Sequence, residues 1–296
     1  MILDAVRTFA RRYLSPQQRA ALTGGINRTT DALTRAVAAL AAAPFRALPD
    51  ALSVAVREKL ELRRNLDYAA SPLTLLVTSE FERRTRLWSC RKEPETVEWL
   101  HRVLARGGVL YDIGANVGAY SLIAGRLIQK SKGAVYAFEP GSRTYANLVD
   151  NVVFNELSDV IVPLPIAANS TTSVVRFGYS ELRAGAAKHA GLNGDAEKPV
   201  ASQSLLSCKL DDAVRLFSLR KPTCMKIDVD GAEADVLRGA IGLLSEAGLT
   251  DVLVEIDQGA PTAGAVNEIL GTAGFHLVSE HSRGEGGPHN MIWSRQ

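Results

Sequence analysis

From about residue 71 onward, short apolar runs alternate with longer segments of helical texture. Val109 to Asp112, Ala134 to Glu139, Val160 to Pro165, Cys224 to Asp228 and Asp251 to Glu255 are the apolar runs, and most end in a polar or turn residue. Between them Tyr120 to Gln129, Arg143 to Asn155 and Glu233 to Leu244 have the composition of helices. Strands that are apolar throughout, separated by helices, predict a parallel sheet covered on both faces. Phe275 to Ser279 and Met291 to Ser294 flank a Gly-rich stretch and predict an antiparallel hairpin at the sheet edge. The expected class is therefore α/β, an open doubly wound sheet with ligands at the carboxyl ends of its strands.

Residues 1–70 have a different texture. Ala, Leu and Arg dominate, which predicts helix throughout, with breaks at Ser15-Pro16, Gly24-Gly25, Pro44 and Pro49. The expected division is a helical N-terminal extension, 1–70, and a sheet domain, 71–296. The extension reads either as short helices packed on a larger domain or as a basic amphipathic element for a membrane surface or oligomerisation.

Charge sharpens that division. The whole chain has 34 Lys+Arg against 32 Asp+Glu, a formal +2. Residues 1–70 hold 11 of the basic residues and six of the acids, +5, so residues 71–296 carry about −3. The near-neutral total gives no reason to expect nucleic acid or another polyanion as a partner. The three cysteines, Cys90, Cys208 and Cys224, are widely spaced and form no C-x-x-C pair, which speaks against a disulfide framework or a zinc knuckle. The apolar run Ala36 to Phe45 has about half of the roughly 20 residues that span a bilayer, and no signal-peptide core is evident. A cytoplasmic location is expected.

Candidate chemistry gathers at the strand ends. After the first strand comes Asp112-Ile113-Gly114-Ala115-Asn116-Val117-Gly118, where the glycines allow a ligand close to the backbone. A nicotinamide or flavin dinucleotide favours G-x-G-x-x-G to seat its pyrophosphate. Here an acid stands at the strand end, which repels pyrophosphate and suits a ligand with a cationic amine such as S-adenosylmethionine. The second strand ends at Glu139, 21 residues after Gly118, near the offset at which a carboxylate meets ribose hydroxyls. The segment Met225-Lys226-Ile227-Asp228-Val229-Asp230-Gly231-Ala232-Glu233 crowds three acids and a lysine onto one turn. Asp228 and Asp230 are candidates for a general base, divalent-metal ligands or polar anchors, and Glu233 for those roles or for stabilising the first turn of a helix. Glu255 ends the fifth strand beside the same crevice. His189, in a long small-residue insertion after the third strand, is either a base near neutral pH or an ordinary loop histidine. The other histidines lack metal-ligand spacing, and two carboxylates alone do not define a metal site.

These segments, in this order, resemble the FkbM-type family of S-adenosylmethionine-dependent methyltransferases from about Cys90 to the C-terminus. The resemblance rests on Lys92 to Trp99, on Tyr111 to Gly118, on Ala137 to Pro140, on Asn147, Leu148, Asn151 and Asn155, and on Lys226 to Glu233 with Val236 to Ala240. It implies a seven-stranded methyltransferase (Rossmann-like) sheet with a final antiparallel strand, and methyl transfer to a hydroxyl oxygen of a small-molecule, sugar or polyketide-type acceptor. It also implies that Asp112, Gly114, Asn116 and Gly118 line the methionine end of the cofactor, Glu139 its ribose, and the Asp228 segment the transferable methyl. Asp228 or Asp230 is the first choice of base and His189 the second. An NAD(P)-dependent oxidoreductase and a non-catalytic cofactor-binding module are the competing classes. The insertion around Lys188 to Pro199 departs from the family pattern.

Overall fold

The computed structural model describes residues 32, 36–40, 42–44, 48–179, 189–192, 201–257, 259, 262–284 and 287–295. The chain separates into two compact units, 1–61 and 62–296. In the first, the described residues between 32 and 44 are helical, and a helix runs over Asp50–Lys59. That helix carries Asp50 in its first turn and Arg57 and Lys59 in its last, the polarity its dipole favours, and it buries no side chain. Most of the segment expected to offer a membrane-surface or oligomerisation element lies outside the described residues. Among the described residues no helix is long and apolar enough to cross a membrane.

The second unit holds a seven-stranded sheet built from β3 (Val109–Ile113), β4 (Ala134–Phe138), β5 (Ile161–Leu164), β10 (Cys224–Ile227), β11 (Asp251–Ile256), β12 (His276–Ser282) and β13 (His289–Ser294). Their order across the sheet is β12-β13-β11-β10-β3-β4-β5. β5, β4, β3, β10 and β11 pair in parallel, while β13 runs antiparallel between β11 and β12. Strand alternation explains the apolar runs: Val109, Tyr111 and Ile113 enter the core on one face and Leu110 the core on the other. Both faces are buried, so neither set of alternating positions needs to be polar.

Two features depart from the sequence expectation. Arg63–Asn65, which composition assigns to helix, is strand β1 and pairs with β2 (Thr74–Leu76). Helix propensity is a weak prior, and pairing with β2 outweighs it. The insertion after β5 is a second sheet rather than a long loop, in the order β6-β9-β7-β8, from Ile166–Ala168, Ala201–Cys208, Ser173–Tyr179 and His189–Leu192. Residues 180–188 and 193–200 lie outside the described residues, and with them most of the Lys188 to Pro199 insertion. The Tyr179 hydroxyl accepts a hydrogen bond from the Ser142 N–H at 3.1 Å and donates to Gln203, whose amide reaches the Pro140 carbonyl at 3.2 Å. These contacts latch the second sheet to the turn that follows β4.

A ladder of asparagines fastens β2 to the main body. Asn147 and Asn151, in the helix Ser142–Phe154, and Asn155, its C-cap, recur every four residues and so share one face. Asn155 accepts from the Thr74 N–H at 2.8 Å and donates to its carbonyl at 2.7 Å. Asn151 accepts from the Leu76 N–H at 2.6 Å and donates to the Val117 carbonyl at 2.8 Å. Asn147 donates to Thr78 and to the buried Glu82. The outer edge of a two-stranded sheet is thus satisfied by side chains, as buried backbone groups require.

Candidate active site

The carboxyl ends of β3, β4, β10 and β11 open into one cavity of about 430 Å³. Gly114 and Asn116 line it after β3, Glu139 and Pro140 after β4, Asp228 to Ala232 after β10, and Glu255 at the end of β11. The second sheet supplies the facing wall through Ile166 to Thr171 and Phe177.

The loop after β3 is held by backbone and carboxylate together. The Gly114 and Ala115 N–H groups donate to the Phe138 carbonyl at 3.0 and 2.9 Å. Gly114 has φ +79°, and a Cβ there would lie 1.9 Å from the Asp228 carbonyl oxygen, so the approach of the two strand-end turns requires glycine. Glu139 accepts the Asn116 N–H at 3.0 Å and the Gly141 N–H at 2.8 Å, one on each oxygen. It is 2% exposed, and burial raises its carboxyl to about 7 against the opposing pull of those two donors. Asn116 and Asp230 both take left-handed backbone conformations, φ +52°, at equivalent strand-end turns facing the cavity. Such conformations cost a non-glycine residue about 1–3 kcal/mol and cluster at ligand sites.

Behind the cavity lies a buried charge network. Lys226 sits in register with Asp112 on the neighbouring strand, and both point to the same face of the sheet. Lys226 is 1% exposed; its Nζ is 3.2 Å from Asp228 Oδ2, 4.0 Å from Asp112 Oδ1 and 5.2 Å from the Tyr120 ring centroid. Asp112 Oδ2 accepts from the Ser121 hydroxyl. Burial pushes Asp112 up, with Lys226 and Ser121 opposing. For Asp228 burial acts in the same direction, but Lys226 and then Arg86 outweigh it and hold the carboxyl below its usual range. Asp230 stands at the solvent-accessible rim; low solvation near the cavity wall, then Asp228 and Glu255, raise it to about 8. Two carboxylates two residues apart are thereby driven in opposite directions, the pattern of an acid–base pair.

Arg283, from the turn after β12, extends the network. It lies 2.8 Å from Glu93 Oε1 and also pairs with Glu255. Burial and then Asp228 raise Glu255 to about 7, with Arg283 opposing.

Of the expected residues, Gly114, Asn116, Glu139, Asp228 and Asp230 share the cavity. Asp112 does not line it: strand alternation turns its side chain to the helix Ala119–Ile128, where it meets Ser121. Gly118 does not line it either. It is the left-handed residue before that helix, and a Cβ would lie 2.5 Å from Leu148 Cδ1. Glu233 accepts the Gly231 N–H at 2.7 Å and stabilises the start of its helix. His189 opens β8 opposite Tyr179, and its side chain lies outside the described residues. Among the described residues no group of three or more His, Cys, Asp and Glu side chains is arranged to hold a metal ion. Sequence reasoning missed Arg86, which gives no signal within a run of arginines, and undervalued Lys226, a single charge inside an apolar strand.

The fold and this strand-end cavity define a Rossmann-like α/β protein of the methyltransferase type. Residues 112–277, more than half of the chain, match the family described as methyltransferase FkbM domain, and the chain belongs to that family. It is 26% identical over 174 residues to the hexuronic acid methyltransferase AglP of Haloferax volcanii, covering 59% of this chain and 66% of that protein, just under two thirds of its length. Among solved structures, the methyltransferase FkbM from Methylobacillus flagellatus aligns at 19% identity and TM-score 0.44, over 63% of this chain and 43% of that one. TYW2 of M. jannaschii, in complex with AdoMet, aligns at 12% identity and TM-score 0.41, over 79% and 85%.

Proposed function

We propose that the protein transfers a methyl group from S-adenosylmethionine to a hydroxyl oxygen of a sugar-type acceptor. The observation that carries this reading is the acidity of the cavity: Glu139, Asp228, Asp230, Asp235 and Glu255 all line it. Asp228, held ionised beside Lys226 in this acid-rich lining, suits a cationic ligand and disfavours the pyrophosphate of a dinucleotide. Family membership supports methyl transfer, and the hexuronic acid named for AglP supports a sugar acceptor.

The donor set fits the cofactor. Glu139, fixed by two backbone donors, keeps lone pairs for vicinal ribose hydroxyls. Gly114 and Asn116 would bring backbone close to the methionine end, and Asp228, ionised beside Lys226, would accept from its ammonium group. When bound, S-adenosylmethionine supplies a sulfonium methyl open to in-line displacement.

Asp230 is the base in this reading. It sits at the rim where an acceptor enters, and its carboxyl titrates near the working pH, which suits removal of the hydroxyl proton during attack. The contribution of Asp112 is indirect, through Lys226 and the helix that follows.

Calorimetry with S-adenosylhomocysteine and with NADH, followed by mass spectrometry of a panel of uronic acids and neutral sugars incubated with S-adenosylmethionine, tests the proposal. Binding of S-adenosylhomocysteine and a gain of one methyl on oxygen are expected. Preferential binding of NADH overturns the proposal in favour of an oxidoreductase. Cofactor binding without transfer to any acceptor favours a non-catalytic module.

A further inference from the structure

The carboxylates that suit a sulfonium and an ammonium group leave one part of S-adenosylmethionine without a match. Its methionine moiety also carries an α-carboxylate, and a carboxylate removed from water among five others requires a cation. Among the described residues lining the cavity two are cationic, Arg86 and Lys92. Lys92 is 42% exposed at its side chain and pairs with Glu93 at 3.0 Å, so it belongs to the network behind the rim. Arg86 is half-buried at the cavity wall, and its positive charge acts on Glu139 after β4 and on Asp228 and Asp230 in the turn after β10. A guanidinium is also the better partner for a carboxylate, because its planar fork offers two parallel donors.

Arg86 projects from an anchored element. It opens the short turn Arg86–Trp88 directly after the helix Glu80–Thr85. That helix starts with a capping box: Ser79 accepts from the Glu82 N–H, and Glu82 accepts from the Ser79 N–H at 2.9 Å. Asn147 fixes Glu82 in turn at 2.7 Å. The Phe81 ring lies 5.7 Å from the guanidinium carbon. The side chain therefore projects from an anchored element that precedes the 112–277 segment matched to the family.

We propose that Arg86 binds the α-carboxylate of the cofactor's methionine moiety. This assignment rests on the reading of the cavity as an S-adenosylmethionine site. The shared chemistry is carboxylate recognition, and the acceptor's own carboxylate, were the acceptor a uronic acid, is the rival occupant.

Three adenosyl thioethers separate the cases: S-adenosylhomocysteine, its decarboxylated analogue, and 5′-methylthioadenosine, which lacks the amino-acid portion. Calorimetry is run with the full chain, Arg86→Gln and Arg86→Lys. Arg86→Gln is expected to weaken S-adenosylhomocysteine about 10- to 100-fold while changing the other two ligands by less than about three-fold, as the loss of charge-assisted hydrogen bonds requires. Arg86→Lys is expected to fall between. Retained binding of 5′-methylthioadenosine by Arg86→Gln shows that the cavity is intact. Equal weakening of all three ligands, or of none, overturns the assignment. A raised KM for a uronic acid with S-adenosylhomocysteine affinity unchanged overturns it in favour of the acceptor. Failure of the unmodified protein to bind any of the three ligands refutes the cofactor reading itself, a result distinct from normal binding that Arg86→Gln leaves untouched.

Discussion

Lys226 Nζ lies 3.2 Å from Asp228 Oδ2 while its backbone pairs in register with Asp112, so one buried ammonium group serves carboxylates on two strands. Replacing it with Met removes the cation and leaves Asp112 buried beside Ser121 with nothing to balance its charge. Urea denaturation of Lys226→Met is expected to show a loss of about 3–5 kcal/mol, the usual cost of breaking a buried pair. The sign of its pH dependence follows from Asp112. A carboxyl raised by burial is penalised when ionised, so the loss shrinks as pH falls and Asp112 takes up a proton. A loss that does not change between pH 8 and pH 5 counts against this account.

As the proposed base, Asp230 is expected to set the pH profile of turnover. A base must be deprotonated, and its carboxyl titrates at about 8, so kcat should rise with pH and level off above that value. Asp228, held ionised by Lys226, adds no limb in that range. Asp230→Asn is expected to lower kcat by about 10²–10⁴ and to remove the limb, with S-adenosylhomocysteine affinity little changed. Steady-state kinetics from pH 6 to 9 would show it, and an unchanged limb in the variant would assign the base elsewhere.

Arg283 joins Glu93, at the start of the helix Pro94–Val103, to Glu255 at the end of β11. Arg283→Met leaves the half-buried Glu255 without its cation and the buried Glu93 with Lys92 alone. A destabilisation of about 3–5 kcal/mol is expected at pH 8. Glu255 titrates at about 7, so part of the loss should return as pH falls through that value and the carboxyl becomes neutral. Thermal melts at both pH values measure the difference.

Two glycines at the same crevice should respond unequally. Gly114→Ala would place a methyl 1.9 Å from the Asp228 carbonyl, forcing the β3 and β10 turns apart. A cost of at least about 2 kcal/mol and weakened S-adenosylhomocysteine binding are expected. Gly231 has φ +101° but open space around a Cβ, so Gly231→Ala meets only the backbone term, about 1–2 kcal/mol. Equal effects in denaturation would refute the steric argument.

The strand ends were legible in the sequence because most apolar runs stop at a polar or turn residue, and Glu139, Asp228 and Asp230 stand at the strand-end cavity. Asp112 shows the limit of reading by position. It sits at the end of an apolar strand run, yet the pleat sends its side chain into the helix behind. The second sheet was not legible, since β7 and β9 mix Ser, Arg and Gln with apolar residues and have one face largely exposed. Their wall of the cavity is assembled only by tertiary pairing. Arg86 was hidden for a related reason: the capped helix before it places it at the cavity, and no local pattern records that placement.

The asparagine ladder bears on where a working fragment of this protein would have to begin. Cutting the chain just before β3 preserves every strand of the large sheet and the whole 112–277 segment. It also strips Thr74 and Leu76 from Asn155 and Asn151, leaving amides that were buried at 6% and 0% exposure without their backbone partners. The same cut deletes Arg86 and Lys92, and with them the cationic side of the cavity. The segment from Leu62 to the β3 strand is therefore a structural part of the sheet unit, and its removal should yield a sheet that folds poorly and a half-walled cleft.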